Sequence, residues 1–464
     1  MSTPVKMPSP PDAYRRRRAK LASHLKRPLV VFAGHAPSRN YAANVYPLRP
    51  SSTYLYFGGP FIEHAAWLIT PGSDGDNGCT LFRPVAGPDD AVWLGPTPSD
   101  GDYAFAAGVA ASRIADLDKL EAAVAGRGAV AIIPPFPDTI ALAAKLKLAP
   151  LGDEEIIPLA AMRVRKDEHE LAAMRYAAEI GCDAHRAAMA VIRPEMLEAD
   201  VAAEYEAVLV ANQCRHPYTP IITIRGEVLH GNGHPNMLDP GAMLLMDAGA
   251  EEPGGYATDI TRVVPVNGQW TTIQRHIYDA VLRANRAAIE ACTPGRRFRE
   301  IHFLAARVIA EGLAQAELLV GDPAALVERN AHALFFTHGL GHLIGLDVHD
   351  LREFGPAATY APGRQPPTEF GGRYLRMDRD LEPGMTLTIE PGIYLTPEVW
   401  ERKDLCGPLE DVINRPKIEA LLAERFGGIR IEHTVCVRAE GAAEILTDAV
   451  PTDADEVLEM VGIA

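Results

Sequence analysis

The segment Phe336–Asp350, FTHGLGHLIGLDVHD, carries His338, His342 and His349 in a chain of 464 residues that has only 15 histidines. Three imidazoles so close together suit metal binding or the handling of a reacting carbonyl. HGLGH is not the HExxH helix of zinc proteases, because Gly339, Leu340 and Gly341 stand between its histidines and no catalytic glutamate is there. The glycines predict a turn whose backbone approaches its neighbours closely and delivers the rings to a site built elsewhere.

Carboxylates form the second pattern. PGAMLLMDAG (240–249) and PGMTLTIEPG (383–392) share PGxxLxx[DE]xG, which aligns Asp247 with Glu390. GYATDIT (255–261) and GIRIEHT (428–434) align Asp259 with Glu432 in the same way. Each acid lies in or just after an apolar run, where an unpaired charge is expensive to bury. Four such acids in register require a compensating positive charge. Four carboxylates and one imidazole make an oxygen-rich donor set suited to Mn²⁺, Co²⁺, Fe²⁺ or Zn²⁺ in a two-metal site, and the two charges balance. Two such ions activate water and hold a tetrahedral oxyanion, which is hydrolytic chemistry. One imidazole completes that set, so the other two are left as hydrogen-bond donors to substrate or intermediate. No GxxxxGK[ST] or GxSxG is present, and GLGHLIG is not GxGxxG.

The repeat implies a duplicated domain in which four strands bring the acids together. Ahead of it, PLVVFAG (28–34), STYLYFGG (52–59), AAWLITPG and TLFRPV read as strands, and DLDKLEAAVAG and DTIALAAKLKL as helices flanking AVAIIPP. The predicted fold class is α+β: a smaller mixed α/β domain over residues 1–155, then a catalytic domain over 156–464. In the second domain long helical patterns such as HIYDAVLRANRAAIEAC and IHFLAARVIAEGLAQAE alternate with the acid-bearing strands.

A net charge of −16, from 61 acidic and 45 basic residues, disfavours nucleic acid and anionic membranes as partners. Arg15–Arg18 lacks the apolar stretch that an export signal needs after its arginines, and reads as a solvated helix face. No apolar run reaches the ~20 residues of a membrane span. Six scattered cysteines suit a reducing cytoplasm.

LLMDAG…TDITR, HGLGHLIGLDVHD, LEPGMTLTIEPGIY and GGIRIE resemble the proline-specific metallopeptidases of the pita-bread fold, aminopeptidase P and prolidase, from about 160 to 450. RRRRAKLASHL, VVFAG and YPLRPSSTYLYFGG are similar, more loosely, to the domain that precedes the catalytic one in these enzymes. The resemblance implies two divalent metal ions, Mn²⁺ first among them, on Asp247, Asp259, His342, Glu390 and Glu432. Glu390 doubles as general base and acid, and His338 and His349 act on the intermediate. His230, in VLHGNGH, and Arg430 face the substrate. That substrate is a small peptide with proline at its second position, and the assembly is a homodimer or tetramer.

Two activities stay open. YPLRPSSTYLYFGG resembles aminopeptidase P, which acts on longer Xaa-Pro peptides. RYLRMDRDLEPGM and the stretch before GGIRIE resemble prolidase, the Xaa-Pro dipeptidase, and Arg376 falls where prolidases carry an arginine suited to a free carboxylate. The reading leans to the dipeptidase. A binding module that has lost its metals and a creatinase-type amidinohydrolase are disfavoured, because all five ligand positions are filled. Two departures stand out: AGAEEPGGYAT is one residue longer than in the family, a longer hairpin tip, and His433 replaces an acid after Glu432, which puts the tuning of that carboxylate in doubt.

Overall fold

The structure is a computed structural model that describes residues 7–462. It divides into two compact units. One runs up to Arg163 and includes Glu168–Glu170 and Pro253–Gly255; the other holds the remainder.

The first unit is built on a six-stranded mixed sheet in the order β4-β3-β2-β1-β5-β6. Its strands are β1 (Leu29–Phe32), β2 (Ala66–Ile69), β3 (Cys79–Arg83), β4 (Ile114–Asp116), β5 (Val130–Ile132) and β6 (Ala149–Pro150). β1 pairs antiparallel with β2 and parallel with β5, so every residue of LVVF is buried. The period of two puts Val30, Phe32, Ala66, Leu68 and Phe82 on one face, packed with Leu120, Val124 and Ala143 of the covering helices.

Two expectations fail in this unit. Ser52–Tyr56 of STYLYFGG is a short helix rather than a strand. Its aromatic content favours a strand locally, but Ser51 Oγ donates to Phe32 O at 2.6 Å and starts a turn whose residues are all buried. The arginine run is also only half solvated. It lies on the helix Pro11–Ala22, where Arg16 is exposed while Arg17 and Arg18 are buried. Arg18 donates to the carbonyls of Gly75, Phe57, Ala107 and Gly108, and its guanidinium stands 4.6 Å from the Trp67 ring centre. Four acceptors and an aromatic face make that burial tolerable.

The second unit carries the repeat. Its first half is the antiparallel sheet β7 (Ile221–Thr223), β8 (Met243–Asp247) and β9 (Thr261–Pro265). Its second half pairs β13 (His433–Cys436) with β10 (Thr386–Ile389) on one side and β14 (Glu444–Ile445) on the other, and β11 (Gly392–Tyr394) with β12 (Gly428–Arg430). The helix Glu168–Val191 opens the unit, and the helices Thr272–Ala291 and Phe298–Gln315 stand where the sequence periodicity places them. Thr272–Ala291 opens with a reciprocal cap between Thr271 and Gln274. Asn285 on that helix donates to both Ile389 O and Ile431 O, which fixes the backbone just before Glu390 and Glu432. No helix among the described residues is long and apolar enough to cross a membrane.

Candidate active site

Strand register decides which acids meet. Along the β8–β9 ladder Asp247 faces Thr261, and the ladder continues through Ala248 N–H to Ile260 O and Thr258 N–H to Ala250 O. Asp259 therefore stands opposite Gly249, on the same face as Asp247 and Thr261. Gly249 is required there, since an added Cβ would sit 2.1 Å from Thr258 O. The ladder runs on to the bridge Glu251–Ala257, with the turn at Pro253–Gly255, so the long AGAEEPGGYAT loop is a hairpin tip.

In the second half, the Ile389–His433 and Gly392–Arg430 pairs belong to one register, interrupted between them. Counting inward from either side brings Glu390 opposite Glu432 at the interruption. Asp247 ends a strand, and Asp259, Glu390 and Glu432 occupy the junctions beside strands. A junction frees the carboxylate from the flat sheet surface and lets both halves point to one centre. The halves join where Glu432 N–H donates to Thr261 O at 3.1 Å and Thr261 Oγ1 donates to Glu432 Oε2 at 2.7 Å.

HGLGH lies against β10. Thr388 N–H donates to His342 O, Glu390 N–H donates to Leu340 O, and a Cβ on Gly341 would lie 1.9 Å from Thr388 O. The glycine permits this approach, as the sequence predicts. His342 Nδ1 faces Leu343 O at 3.1 Å, the donor role of an Nδ1–H, which leaves Nε2 directed at the acids. Nε2 is 3.5 Å from Asp259 Oδ2 and 3.5 Å from Glu390 Oε1. Downstream, Asp350 closes the segment in a buried pair with Lys166 at 2.9 Å.

The electrostatics are those of an acid cluster short of positive charge. Burial pushes Glu390 up to about 7, with the charges of Asp259 and Asp247 adding to it and those of His342 and Arg430 opposing. Burial and the neighbouring carboxylates hold Glu432 well above the usual range, and burial raises Asp247 against the pull of Arg430. Burial alone would lower His342, but its hydrogen bond to Asp259 and the charges of Glu390 and Asp259 raise it. Asp259, His342 and Glu432, all buried, offer donor atoms within 4.8 Å of one another. This donor set fits divalent cations, which would relieve the strain that raises the acids.

Several expected residues gather around this centre. Arg430 donates to Asp247 Oδ2, to Tyr394 Oη at 2.7 Å and to Thr261 Oγ1 at 3.0 Å. His338 Nδ1 is 3.8 Å from Glu390 Oε2, and both its ring nitrogens are engaged, Nδ1 with Gly339 O at 2.8 Å and Nε2 with Tyr394 Oη at 2.9 Å. Burial and Arg430 lower it to about 3. His349 packs edge-on to His342 at 4.3 Å between ring centres, and burial and His342 lower it to about 2. Both rings are thus neutral at ordinary pH. His230 is exposed, and its charge bears on both His338 and His349. Arg376 is half-buried and follows the Tyr374–Leu375 backbone that a Cβ on Gly339 would strike at 2.7–2.8 Å.

Two tyrosines escape the sequence reading. Tyr218 Oη donates to Asp247 Oδ1 at 2.6 Å and also contacts Asp259, and Tyr394 links Arg430 to His338. Tyr394 ends the EPGIY motif and could have been flagged by it; nothing in RHPYTP singles out Tyr218. His433 follows Glu432 in the chain. It alternates to the face opposite Glu432, where Nδ1 meets Thr447 Oγ1 at 2.8 Å, and burial holds it well below its ordinary value. Arg262 lies between the two residues, donating to Glu432 O at 2.7 Å and standing 3.5 Å from His433 Nδ1.

Residues 172–439 match metallopeptidase family M24, and residues 14–130 match the aminopeptidase P N-terminal domain. The chain is 31% identical over 409 residues to the Xaa-Pro aminopeptidase of Escherichia coli, covering 83% of this chain and 87% of that protein. It is 36% identical over 303 residues to the human Xaa-Pro dipeptidase, covering 64% of this chain and 59% of that protein. Among solved structures, E. coli aminopeptidase P with the inhibitor Pro-Leu superposes with a TM-score of 0.80 at 27% identity, covering 97% of this chain and 98% of that one. Aminopeptidase PepP of Pseudomonas aeruginosa gives 0.76 at 28%, with the same coverage.

Proposed function

This chain belongs to metallopeptidase family M24 and is a metalloexopeptidase that uses divalent metal, and we propose that it hydrolyses Xaa-Pro bonds in small peptides, with Xaa-Pro dipeptides as its preferred substrates. The observation that carries the reading is the convergence of Asp247, Asp259, Glu390, Glu432 and His342 Nε2 on one buried centre. These five residues would hold two ions, Mn²⁺ first among them. When bound, such ions supply Lewis acidity and an acidified water.

The chain's own groups do the rest. Glu390, beside His342 and His338, is placed to take a proton from water and return it to the leaving proline nitrogen. His338 and His349, both neutral, orient the scissile carbonyl, with His338 exchanging Gly339 O for the substrate oxygen. Arg430 holds Asp247 and, through Tyr394, holds His338 in its tautomer. His230 stands at the exposed rim as a substrate contact.

The preference for dipeptides rests on Arg376, which forms no hydrogen bond or ion pair among the described residues and follows directly the backbone beside Gly339. A guanidinium there suits the free carboxylate after proline. The Xaa-Pro aminopeptidase reading is favoured instead by the match to the aminopeptidase P N-terminal domain and by similarity to aminopeptidase P over nearly the full chain. Arg376→Ala separates the two. Hydrolysis of Ala-Pro should fall by about 10- to 100-fold while any hydrolysis of Ala-Pro-Ala persists, and equal losses on both would exclude the carboxylate role. A domain boundary near residue 155, a homodimer or tetramer, and a cytoplasmic location, in keeping with six free, buried cysteines, complete the proposal.

A further inference from the structure

A second cluster of metal-type donors lies in the first unit. His35 follows β1, His64 precedes β2, and Asp138 occupies the first turn of the helix Pro137–Lys145. One donor atom from each lies within 4.8 Å of the other two. His35 Nδ1 is 3.1 Å from Asp138 Oδ1, and His64 Nδ1 is 3.3 Å from Asp138 Oδ2. Each histidine faces a different oxygen of the one carboxylate, at separations close to the ~3.3 Å between donor atoms of a tetrahedral site.

The backbone holds this arrangement. The β1–β2 ladder runs past its last strand pair through Ala33 N–H to Ala65 O at 2.8 Å and His64 N–H to Gly34 O at 2.7 Å, which fixes the two histidines side by side. Gly34 has φ +84°, and a Cβ there would lie 2.6 Å from the Phe136 ring, which in turn packs at 4.6 Å against the His35 ring. His64 itself has φ +59°, a left-handed conformation that a non-glycine residue adopts with strain and that often marks a functional position. Although His35 Nδ1 is shielded from solvent and close to Asp138, it has no hydrogen-bond partner among the described residues. Asp138 Oδ1 instead accepts from Thr139 N–H at 2.8 Å. A cation between Nδ1 and the carboxylate would engage both groups.

We propose that His35, His64 and Asp138 form an accessory site for one first-row divalent transition metal, with Zn²⁺ its natural probe, separate from the catalytic ions. Two imidazoles and one carboxylate leave a fourth position for water. The side chains are 20%, 45% and 48% exposed, so the site exchanges with solvent rather than being locked in the core. Its ligands come from three segments that the sheet alone joins at one end, and a bound ion ties the turn after β1, the entry to β2 and the following helix together. Its effect falls on the stability of the first unit rather than on turnover.

The test is metal stoichiometry of the untagged full-length chain, dialysed against buffered micromolar Zn²⁺ and measured by mass spectrometry of the metal. His64→Asn is the first variant, because asparagine tolerates the left-handed backbone; Asp138→Asn is the second and leaves the backbone untouched. Wild type should carry one more equivalent of Zn²⁺ than either variant, and Ala-Pro hydrolysis after Mn²⁺ loading should stay within about twofold of wild type. Equal zinc content in wild type and both variants, each folded by circular dichroism, would overturn the proposal. That outcome leaves the peptidase reading intact, since peptide hydrolysis is scored separately.

Discussion

In the first half of the catalytic unit Asp247 and Asp259 lie on one continuous hairpin, closed at Pro253–Gly255 and clamped by a single hydroxyl, that of Tyr218. In the second half Glu390 and Glu432 face each other where a ladder is interrupted, with the helices Pro397–Trp400 and Arg415–Ala423 between its two sides. There the support comes from threonines: Thr388 beside Glu390 and Thr261 beside Glu432. What the two halves share is the face on which register puts each acid. What differs is everything that joins the strands, so connections are free to vary while same-face placement is not. The halves also differ in chemistry, because Glu390 of the second lies close to a histidine, His338, that the proposal places at the scissile bond.

This asymmetry can be broken by matched substitutions. Glu390→Gln should lower kcat/KM on Ala-Pro by about 10²–10⁴-fold, with no recovery in excess Mn²⁺, since the proton acceptor itself is gone. Asp247→Asn should show its defect chiefly at limiting Mn²⁺ and regain activity as Mn²⁺ is raised. Rescue of both variants, or of neither, would remove the division of labour between the halves. Tyr218→Phe deletes a donor shared by two carboxylates and should lower kcat/KM at limiting Mn²⁺ by about 10- to 100-fold. Thr388→Val removes the 3.4 Å contact to Glu390 Oε1 and the acceptor of His342 N–H at 3.0 Å, and should cost about tenfold. A Thr388→Val effect as large as that of Tyr218→Phe would mean that both clamps bear equal weight.

Much of the site is legible because buried charge is conspicuous in sequence. MLLMD and TLTIE place acids where a solvated surface residue has no reason to be, and their repetition pairs them before any fold is known. The glycines of HGLGH signal close approach for the same reason: Gly339 and Gly341 have no room for a Cβ. What escapes is whatever depends on long-range geometry without an unusual local pattern. Tyr218 reads as an ordinary loop aromatic until β7 sets it beside Asp247. His433 carries no local sign of the Thr447 and Arg262 contacts it makes. Tertiary packing overrode local propensity at Ser52–Tyr56, and it buried Arg18 by supplying carbonyls from distant turns. His35, His64 and Asp138 share no motif, since only the β1–β2 ladder and the start of one helix bring them together.

The most direct measurement is hydrolysis of Ala-Pro and Ala-Pro-Ala by the metal-stripped chain before and after adding Mn²⁺. We expect negligible activity without metal and restored cleavage at the Ala-Pro bond with it, the dipeptide being cut faster. No cleavage of either peptide at any divalent-metal loading, by a chain that binds two ions, would contradict the assignment of the five converging ligands to Xaa-Pro hydrolysis.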